Sequence, residues 1–379
     1  MTEDKDTRIQ PCHVTRREFG RLTAAGMLSG GMMLSDTARA ATSNETDVRW
    51  NIEPGIKIHL GHIRPTVSDE DLEFVRQLGV EYVEFYIPHE VSFYEDLVKL
   101  RDRVESMGLK IFNVGYDADN HWYNLTDRIQ LGLPGRDEDI ESYRRFLRDA
   151  SRAGIHTVCY GFYTKVGQRT GSVLDRGASV SAFDQSKVAQ DLFHGRVFGE
   201  EEMWDNYTYF LDRILPVAED TGVRLALHPN DPPAPVMRGV PQIFRDNRSY
   251  ERMVDIANGS PYAGVEFCVG TWGTMAGPDG KAEDVIGAIR QFGDRIYTVH
   301  FRNVSGPVPV FNETFLETGF LDMHEVLKTL NEVGFRGSME PDHVPSFSDE
   351  KRFTNKSVVG TAYSIAYMRA LLERVNAEG

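Results

Sequence analysis

The chain has 379 residues, of which 41% are hydrophobic, enough for one large domain or two small ones. It carries 57 acidic and 42 basic residues, a formal net charge of −15. Such an acidic surface argues against nucleic acid or an anionic membrane as a partner, but not against a small anionic substrate, which a few local cations can hold.

The first forty residues resemble an export signal. A twin arginine at positions 16 and 17 precedes a weakly apolar, glycine- and methionine-rich stretch over residues 22–34, and Ala38-Arg39-Ala40 offers small residues for cleavage. The stretch is too short and too rich in glycine to span a bilayer. We therefore expect residues 1–40 to be a Tat-type signal peptide and residues 41–379 to form one periplasmic domain, free of the membrane after export.

From residue 56 onward, short β-rich runs alternate with amphipathic helical stretches. The strand candidates are Ile56–Leu60, Glu81–Ile87, Lys110–Gly115, His156–Phe162, Arg224–His228, Gly264–Cys268, Ile296–Phe301 and Gly337–Pro341. Helical runs between them include Asp69–Leu78, Tyr94–Met107, Asp137–Ala153, Glu202–Thr221, Ala282–Phe292 and Met323–Val333. A glycine follows each of these helical runs, as is typical of a helix C-terminus, and the last of these glycines are Gly293 and Gly334.

This alternation predicts an α/β fold of the (β/α)8 TIM-barrel class. An open doubly wound sheet is the alternative, but no Gly-x-Gly-x-x-Gly turn follows the first strand. The stretch 163–200 is irregular in pattern and rich in Gly, Ser and Asp, so we expect a loop or lid over the barrel mouth.

The last four predicted strands each end on a side chain that can bind a metal. These residues are His228, Cys268, His300 and Asp342, separated by 32 to 42 residues, about one strand-plus-helix unit. Successive barrel strands deliver their last residues to one shared mouth. Two imidazoles, a thiolate and a carboxylate would there hold one divalent cation, such as zinc, cobalt, iron or manganese. The pattern predicts a metalloenzyme.

The cysteine content is low. Cys12 falls within the predicted signal, which leaves Cys159 and Cys268, both inside apolar strand-like runs. A disulfide between these two is the alternative in an exported protein, but we expect Cys159 to be a buried structural thiol.

Many short segments of the second half carry a family resemblance. They are Ile155–Phe162, Arg169-Thr170, Phe183-Asp184, Ile214–Glu219, Leu227–Pro233, Gly239–Pro241, Phe267–Gly270, Gln291–Tyr297, His300–Arg302, Asp322-Met323 and Pro341–His343. Together they resemble the mannonate dehydratase family, whose members are xylose-isomerase-like barrels acting on sugar acids. The resemblance carries the family's metal ligands onto His228, Cys268, His300 and Asp342, and implies Mn²⁺ or Fe²⁺.

The resemblance also implies a reaction, the loss of water from D-mannonate to give 2-keto-3-deoxy-D-gluconate. Within it, Arg302 is the expected clamp on the substrate carboxylate, His343 the expected acid or base, and Tyr363 matches a family tyrosine. Asp231 is expected to bind a sugar hydroxyl or to orient a ligand imidazole. The structural alternatives are an ion pair for Arg302, a ligand-orienting role for His343, helix packing for Tyr363 and a turn for Asp231.

Two other functions stay open at this point. A metal-dependent isomerase or epimerase acting on a neutral sugar would use the same barrel and metal, and a guanidinium at Arg302 favours the acid substrate. A non-catalytic periplasmic sugar-binding protein has no need of a thiolate-bearing metal site. The sequence does not determine the oligomeric state, and a homo-oligomer is compatible with it. Gln168 and Val344 depart from the family pattern near the expected pocket, which leaves the particular sugar acid open.

Overall fold

The computed structural model describes residues 53–277, 279–347, 352–353 and 356–378, so the predicted signal peptide lies outside the described residues. The described residues belong to one compact unit. None of the helices among them is both long and apolar enough to cross a membrane.

The elements are numbered along the chain. The strands are β1 (Lys57–Ile63), β2 (Tyr82–Pro88), β3 (Lys110–Asp117), β4 (Thr157–Gly161), β5 (Gly171–Asp175), β6 (Ala178–Asp184), β7 (Arg224–His228), β8 (Val236–Met237), β9 (Val240–Pro241), β10 (Ala263–Cys268), β11 (Ile296–His300), β12 (Val310–Asn312), β13 (Ser338–Glu340), β14 (Arg352–Phe353) and β15 (Lys356–Ser357). The α-helices are α1 (Asp69–Gln77), α2 (Tyr94–Ser106), α3 (Asp127–Gln130), α4 (Arg136–Arg152), α5 (Glu200–Thr221), α6 (Asn247–Ile256), α7 (Val269–Thr274), α8 (Val285–Phe292), α9 (Met323–Glu332) and α10 (Val358–Glu378).

Eight parallel strands close into a barrel in the order β1-β13-β11-β10-β7-β4-β3-β2. Each of them overlaps one of the eight strand candidates, so the predicted (β/α)8 barrel is confirmed. Because all eight run in the same direction, their C-terminal ends lie at one face of the barrel.

The helices cover the barrel with one apolar face each. In α4 the buried side chains include Ile140, Tyr143, Leu147 and Ala150, spaced three or four residues apart, which is the spacing of one helix face. The predicted glycine ends are confirmed at Gly79, Gly108, Gly154, Gly222 and Gly334, all with positive φ. Gly293 is the exception: its φ is −51°, because the chain continues from it into a 3₁₀ turn, Gly293–Arg295.

The interior of the barrel is unusually polar below the C-terminal face. The fully buried polar side chains pointing from barrel strands are His59, Glu84, Asn113, Glu266, Thr298, Ser338 and Glu340. Such side chains remain buried only when they bind partners or ligands. The apolar core, by contrast, includes the helix side chains that pack around the barrel.

A three-stranded antiparallel sheet, in the order β12-β6-β5, contributes to the barrel mouth. Residues 171–184 of the stretch predicted to be irregular therefore form a hairpin, and the prediction was wrong on that point. The turn between its strands is Arg176-Gly177, both with positive φ, which suits a two-residue hairpin loop. Strand β5 is almost wholly exposed, so no alternation of apolar residues marks it in the sequence.

Candidate metal centre

Strand register aligns the ends of three neighbouring barrel strands. Cys268 of β10 lies opposite His300 of β11, and His300 lies opposite Glu340 of β13. On the other side of β10, strand β7 ends on His228. Paired residues on adjacent strands direct their side chains to the same face of a sheet, so these side chains meet inside the barrel mouth.

Three of the four predicted ligands converge on one point. The donor atoms of His228, Cys268 and His300 all lie within 4.8 Å of one another, and all three residues are buried. Nδ1 of His228 donates a hydrogen bond to the carbonyl oxygen of Pro229 at 2.7 Å. This bond assigns the proton to Nδ1 and leaves Nε2 with a lone pair, as a metal-binding imidazole requires.

Asp342, the fourth predicted ligand, lies next to His300, which is one of the other three. Its Oδ2 lies 3.7 Å from Nδ1 of His300. It belongs to a second group of ligand-type side chains, whose donor atoms also lie within 4.8 Å of one another: His62, His300, Glu340 and Asp342. The structure thus places the four predicted ligands at one end of the barrel, with His300 common to both groups.

The residues fit a divalent cation. Three buried atoms have no hydrogen-bond partner among the described residues: the two ring nitrogens of His300 and Oδ1 of Asp342. Burial opposes ionisation of the Cys268 thiol, but the positive charge of Arg302, whose Nε lies 3.3 Å from Sγ, and the neighbouring imidazoles of His228 and His300 lower its pKa from 9.0 to about 5. Cys268 is therefore a thiolate near neutral pH, the form that binds metal.

Arg302 is placed differently from its predicted role. It is 3% exposed, and its guanidinium contacts Glu313 through two hydrogen bonds of 2.8 and 2.9 Å, Asp231 at 2.8 Å and Thr271 at 2.8 Å. Its Nε lies 2.9 Å from Oδ2 of Asp342. Because all three nitrogens are engaged, the structure does not support Arg302 as the clamp on a substrate carboxylate. Its position instead holds Asp342 and Asp231 in place.

We expect Arg302→Met to lower the free energy of unfolding of the metal-free protein by about 3–5 kcal/mol, because it leaves buried carboxylates without their counter-charge. The measurement is urea denaturation followed by circular dichroism. A matched control is Arg76→Met, which breaks an exposed ion pair with Glu73 and is expected to cost about 0–1 kcal/mol. Equal losses in the two variants would contradict the buried-network interpretation.

Arg169 is the guanidinium that lines the cavity. Its side chain is 12% exposed, and it binds both oxygens of Asp231 at 2.9 Å. It also contacts Glu313, and its Nη2 lies 3.3 Å from Nδ1 of His343. Glu313 therefore joins both arginines, a connection that no local sequence pattern indicated.

Asp231 lines the cavity, but its partners restrict its chemistry. Burial raises its pKa, yet the charges of Arg169 and Arg302 outweigh burial and hold the pKa below its ordinary value. Burial likewise raises the pKa of Glu313, but the charges of Arg302 and Arg169 outweigh it and lower this pKa from 4.5 to about 2. Both side chains are anions near neutral pH, so they hold the arginines and do not donate protons.

His343 and Tyr363, the other two predicted catalytic residues, differ in position. His343 lines the cavity with its side chain 25% exposed, and its Nε2 lies 3.5 Å from Oδ2 of Asp342. Tyr363 lies on helix α10, 37% exposed, where its hydroxyl donates to Glu317 and its ring contacts Phe315. It does not line the cavity, so the structure does not support a catalytic contact by Tyr363.

The cavity over these residues has a volume of about 440 Å³, within the usual range for small-molecule sites. It is lined by His62, Tyr86, Trp122, Tyr123, Tyr163, Gln168, Arg169, Ser181, His228, Asp231, His300, Asp342, His343, Val344 and Ser346. The aromatic wall and His62 come from the first four barrel units, in which no site residue was predicted. The signal for His62 was its position at the end of β1.

The two cysteines are free and buried. The prediction of a buried thiol at Cys159 is confirmed. Its Sγ lies 3.0 Å from the side-chain nitrogen of Asn113.

The chain is similar to known proteins over most of its length. The family model for D-mannonate dehydratase (UxuA) matches residues 64–197 and 191–378. A mannonate dehydratase from Thermotoga maritima is 31% identical over 351 residues, covering 80% of this chain and 94% of that protein. The solved mannonate dehydratase from Streptococcus suis serotype 2 has a TM-score of 0.73 at 26% identity, covering 86% of this chain and 96% of its own. A xylose isomerase domain protein from Planctomyces limnophilus, at 14% identity and a TM-score of 0.57 over 86% of this chain and 99% of its own, shares the fold.

The predicted export to the periplasm is contradicted by these similarities. No signal peptide is evident in the mannonate dehydratase relatives, and the family model matches this chain from residue 64 onward. The twin arginine and the stretch after it lie outside the described residues. A pair of arginines before a short, weakly apolar run is a pattern of low information content, and here it misled the prediction.

Proposed function

This chain belongs to the D-mannonate dehydratase family, and from that premise we propose that it is a metal-dependent hydro-lyase that removes water from a sugar acid. The substrate is D-mannonate and the product is 2-keto-3-deoxy-D-gluconate. The observation that carries the proposal is the convergence of His228, Cys268 and His300 at the ends of successive barrel strands, beside a cavity of about 440 Å³.

The difficult step is the removal of the C2 proton, because the neighbouring carboxylate makes that proton a poor acid. A divalent cation, when bound, would supply Lewis-acid stabilisation of the negative charge that develops on the substrate as this proton leaves. The ligands that we assign to that cation are His228, Cys268, His300 and Asp342. These nitrogen, sulfur and oxygen donors are compatible with zinc, cobalt, iron or manganese, and the family resemblance favours manganese or iron(II) among them.

His343 is the residue we assign to proton transfer. It lines the cavity next to Asp342, and its Nδ1 lies 3.3 Å from both Oε1 of Glu313 and Nη2 of Arg169. These contacts orient the imidazole while leaving it partly exposed to a ligand. An imidazole so placed can take the C2 proton or protonate the departing C3 hydroxyl group, which leaves as water.

Substrate binding falls to the remaining cavity side chains. Arg169 lines the cavity and adds positive charge near a substrate carboxylate. Its three nitrogens already bind Asp231, Glu313 and the carbonyl oxygen of Gln168, so it is not a free clamp for that carboxylate. Tyr86 presents a buried hydroxyl with no hydrogen-bond partner among the described residues, and burial raises its pKa well above 10.0. It stays protonated and can donate a hydrogen bond to a sugar hydroxyl.

The direct test is to incubate the metal-loaded protein with D-mannonate and to assay 2-keto-3-deoxy-D-gluconate. We expect product formation that stops when a chelator removes the metal and resumes when Mn²⁺ is added back. Formation of fructuronate or of an epimerised sugar acid, without dehydration, would instead favour an isomerase or epimerase acting in the same barrel.

A further inference from the structure

Strand β6 binds the backbone of three loops at the barrel mouth. It is the central strand of the sheet β12-β6-β5, which we call the mouth sheet. Strands β5 and β6 belong to the loop after β4, β12 to the loop after β11, and residue 346 to the loop after β13. We propose that β6 is a positioning element of the active site, whose hydrogen-bond register places Arg169, Glu313 and His343 against one another. This rests on the function proposed above, in which His343 transfers a proton.

The first contact of β6 fixes the loop that carries His343. The N–H of Ser346 donates to the carbonyl oxygen of Ser179 at 2.8 Å, and the N–H of Ser179 donates to that of Ser346, also at 2.8 Å. This pair is an antiparallel bridge. Strand β13 ends at Glu340, so His343 lies in the short span 341–345 between a barrel strand and the bridge. A short span fixed at both ends has few accessible conformations.

Two further contacts of β6 fix the segments that carry the carboxylate and guanidinium partners of this imidazole. The N–H of Glu313 donates to the carbonyl oxygen of Ser181 at 2.8 Å, directly after the β12–β6 pairing. The N–H of Thr170, the residue after Arg169, donates to the carbonyl oxygen of Ala182 at 3.0 Å. Successive carbonyl groups of a strand point to opposite edges. Strand β6 therefore holds one partner from each edge.

The three side chains placed in this way meet. Oε1 of Glu313 lies 2.5 Å from Nη2 of Arg169 and 3.3 Å from Nδ1 of His343. Nη2 of Arg169 lies 3.3 Å from the same Nδ1. Contacts at one ring nitrogen of a histidine set the orientation and the role of the other nitrogen. The backbone register of β6 thus reaches the imidazole through two side chains and one short loop.

The metal centre is held by other contacts. Three of the four assigned ligands end barrel strands, and the fourth, Asp342, lies with Oδ2 2.9 Å from Nε of Arg302. Loss of the bridge at Ser179 is therefore expected to displace His343 and to leave the metal ligands in place.

The test removes one hydrogen bond of the bridge. Ser179→Pro deletes the N–H that donates to Ser346, whereas Ser179→Ala keeps it and is the matched control, since the serine side chain takes no part in the bridge. In the metal-loaded, full-length protein we expect Ser179→Pro to lower kcat for dehydration of D-mannonate by about 10- to 100-fold, because displacing a reacting group by about 1 Å can cost 10²-fold in rate. Metal content is expected to stay unchanged, and Ser179→Ala to keep kcat within about twofold.

A double-mutant cycle separates positioning from general damage. If the bridge acts through His343, Ser179→Pro is expected to lower kcat by less than about twofold when it is added to His343→Asn, because the side chain that it positions is already gone. The same fold-loss of kcat with and without His343 would overturn the proposal.

Hydrogen exchange at the Ser346 amide, followed by fragment mass spectrometry, tests the bridge independently of activity. We expect slow exchange in the unaltered protein and in Ser179→Ala, and exchange faster by about ten-fold or more in Ser179→Pro. Unprotected exchange in the unaltered protein would overturn the proposal whether or not the variants fold, as would unchanged exchange in a folded Ser179→Pro variant. The expected exchange in a protein that forms no 2-keto-3-deoxy-D-gluconate would contradict the proposed function and not the bridge, so the two failures are distinguishable.

Discussion

Replacing Cys268 with serine is expected to remove one equivalent of divalent metal per chain and to lower kcat/KM for the dehydration of D-mannonate by about 10³-fold, equivalent to roughly 4 kcal/mol of transition-state stabilisation. The physical reason is the state of the sulfur. The thiol pKa of about 5 makes Cys268 an anionic ligand near neutral pH, whereas a serine hydroxyl keeps its proton and binds a cation weakly.

The matched control is Cys159→Ser, the same replacement at the other buried, free cysteine, on strand β4. It is expected to keep the metal content of the unaltered protein. The measurements are metal analysis after reloading, circular dichroism to establish that the barrel folds, and steady-state kinetics. Full metal content in Cys268→Ser would remove this cysteine from the set of ligands.

Replacing His343 with asparagine is expected to lower kcat by about 10²- to 10⁴-fold while the metal content stays unchanged. The expectation rests on position: the imidazole lines the cavity, lies 3.5 Å from Asp342 and is oriented by Glu313 and Arg169. Asparagine keeps a hydrogen-bonding side chain there but cannot transfer a proton at neutral pH.

Tyr363→Phe is the control for His343→Asn, and it distinguishes a loss of proton transfer from a general disturbance of the site. Tyr363 lies outside the cavity and its hydroxyl binds Glu317 at the surface, so kcat is expected to change by less than about twofold, as for most surface substitutions. A His343→Asn variant that kept full kcat, or one that lost metal in proportion to activity, would exclude the assigned role.

The sequence identified the fold and the three converging ligands because both depend on local regularities. Strand and helix periods determine the barrel, and a parallel barrel brings strand ends to one face whatever lies between them. His228, Cys268 and His300 each end a strand in the sequence itself. Their meeting therefore followed from the topology without knowledge of any loop.

The role of Arg302 could not be judged in the same way. Its position two residues after His300 can be read from the sequence, but its partners Asp231 and Glu313 come from other loops. Whether a guanidinium faces a substrate or is saturated by carboxylates depends on which loops surround it. The sequence likewise carried no mark of the exposed strand β5, because a strand covered on neither face needs no apolar alternation.

What the sequence by itself determined was the periodic part of this protein: the barrel, the direction of its strands and the ligand-type residues at their C-terminal ends. What only the tertiary structure decided was which side chains meet across the mouth, among them His62 with Glu340 and Asp342, and Arg169 with Glu313. The reason is that hydrogen bonds along helices and strands act between near neighbours or at a regular period, whereas contacts in the mouth join residues up to about 280 positions apart. Their pairing follows from loop conformations and burial that no local pattern encodes.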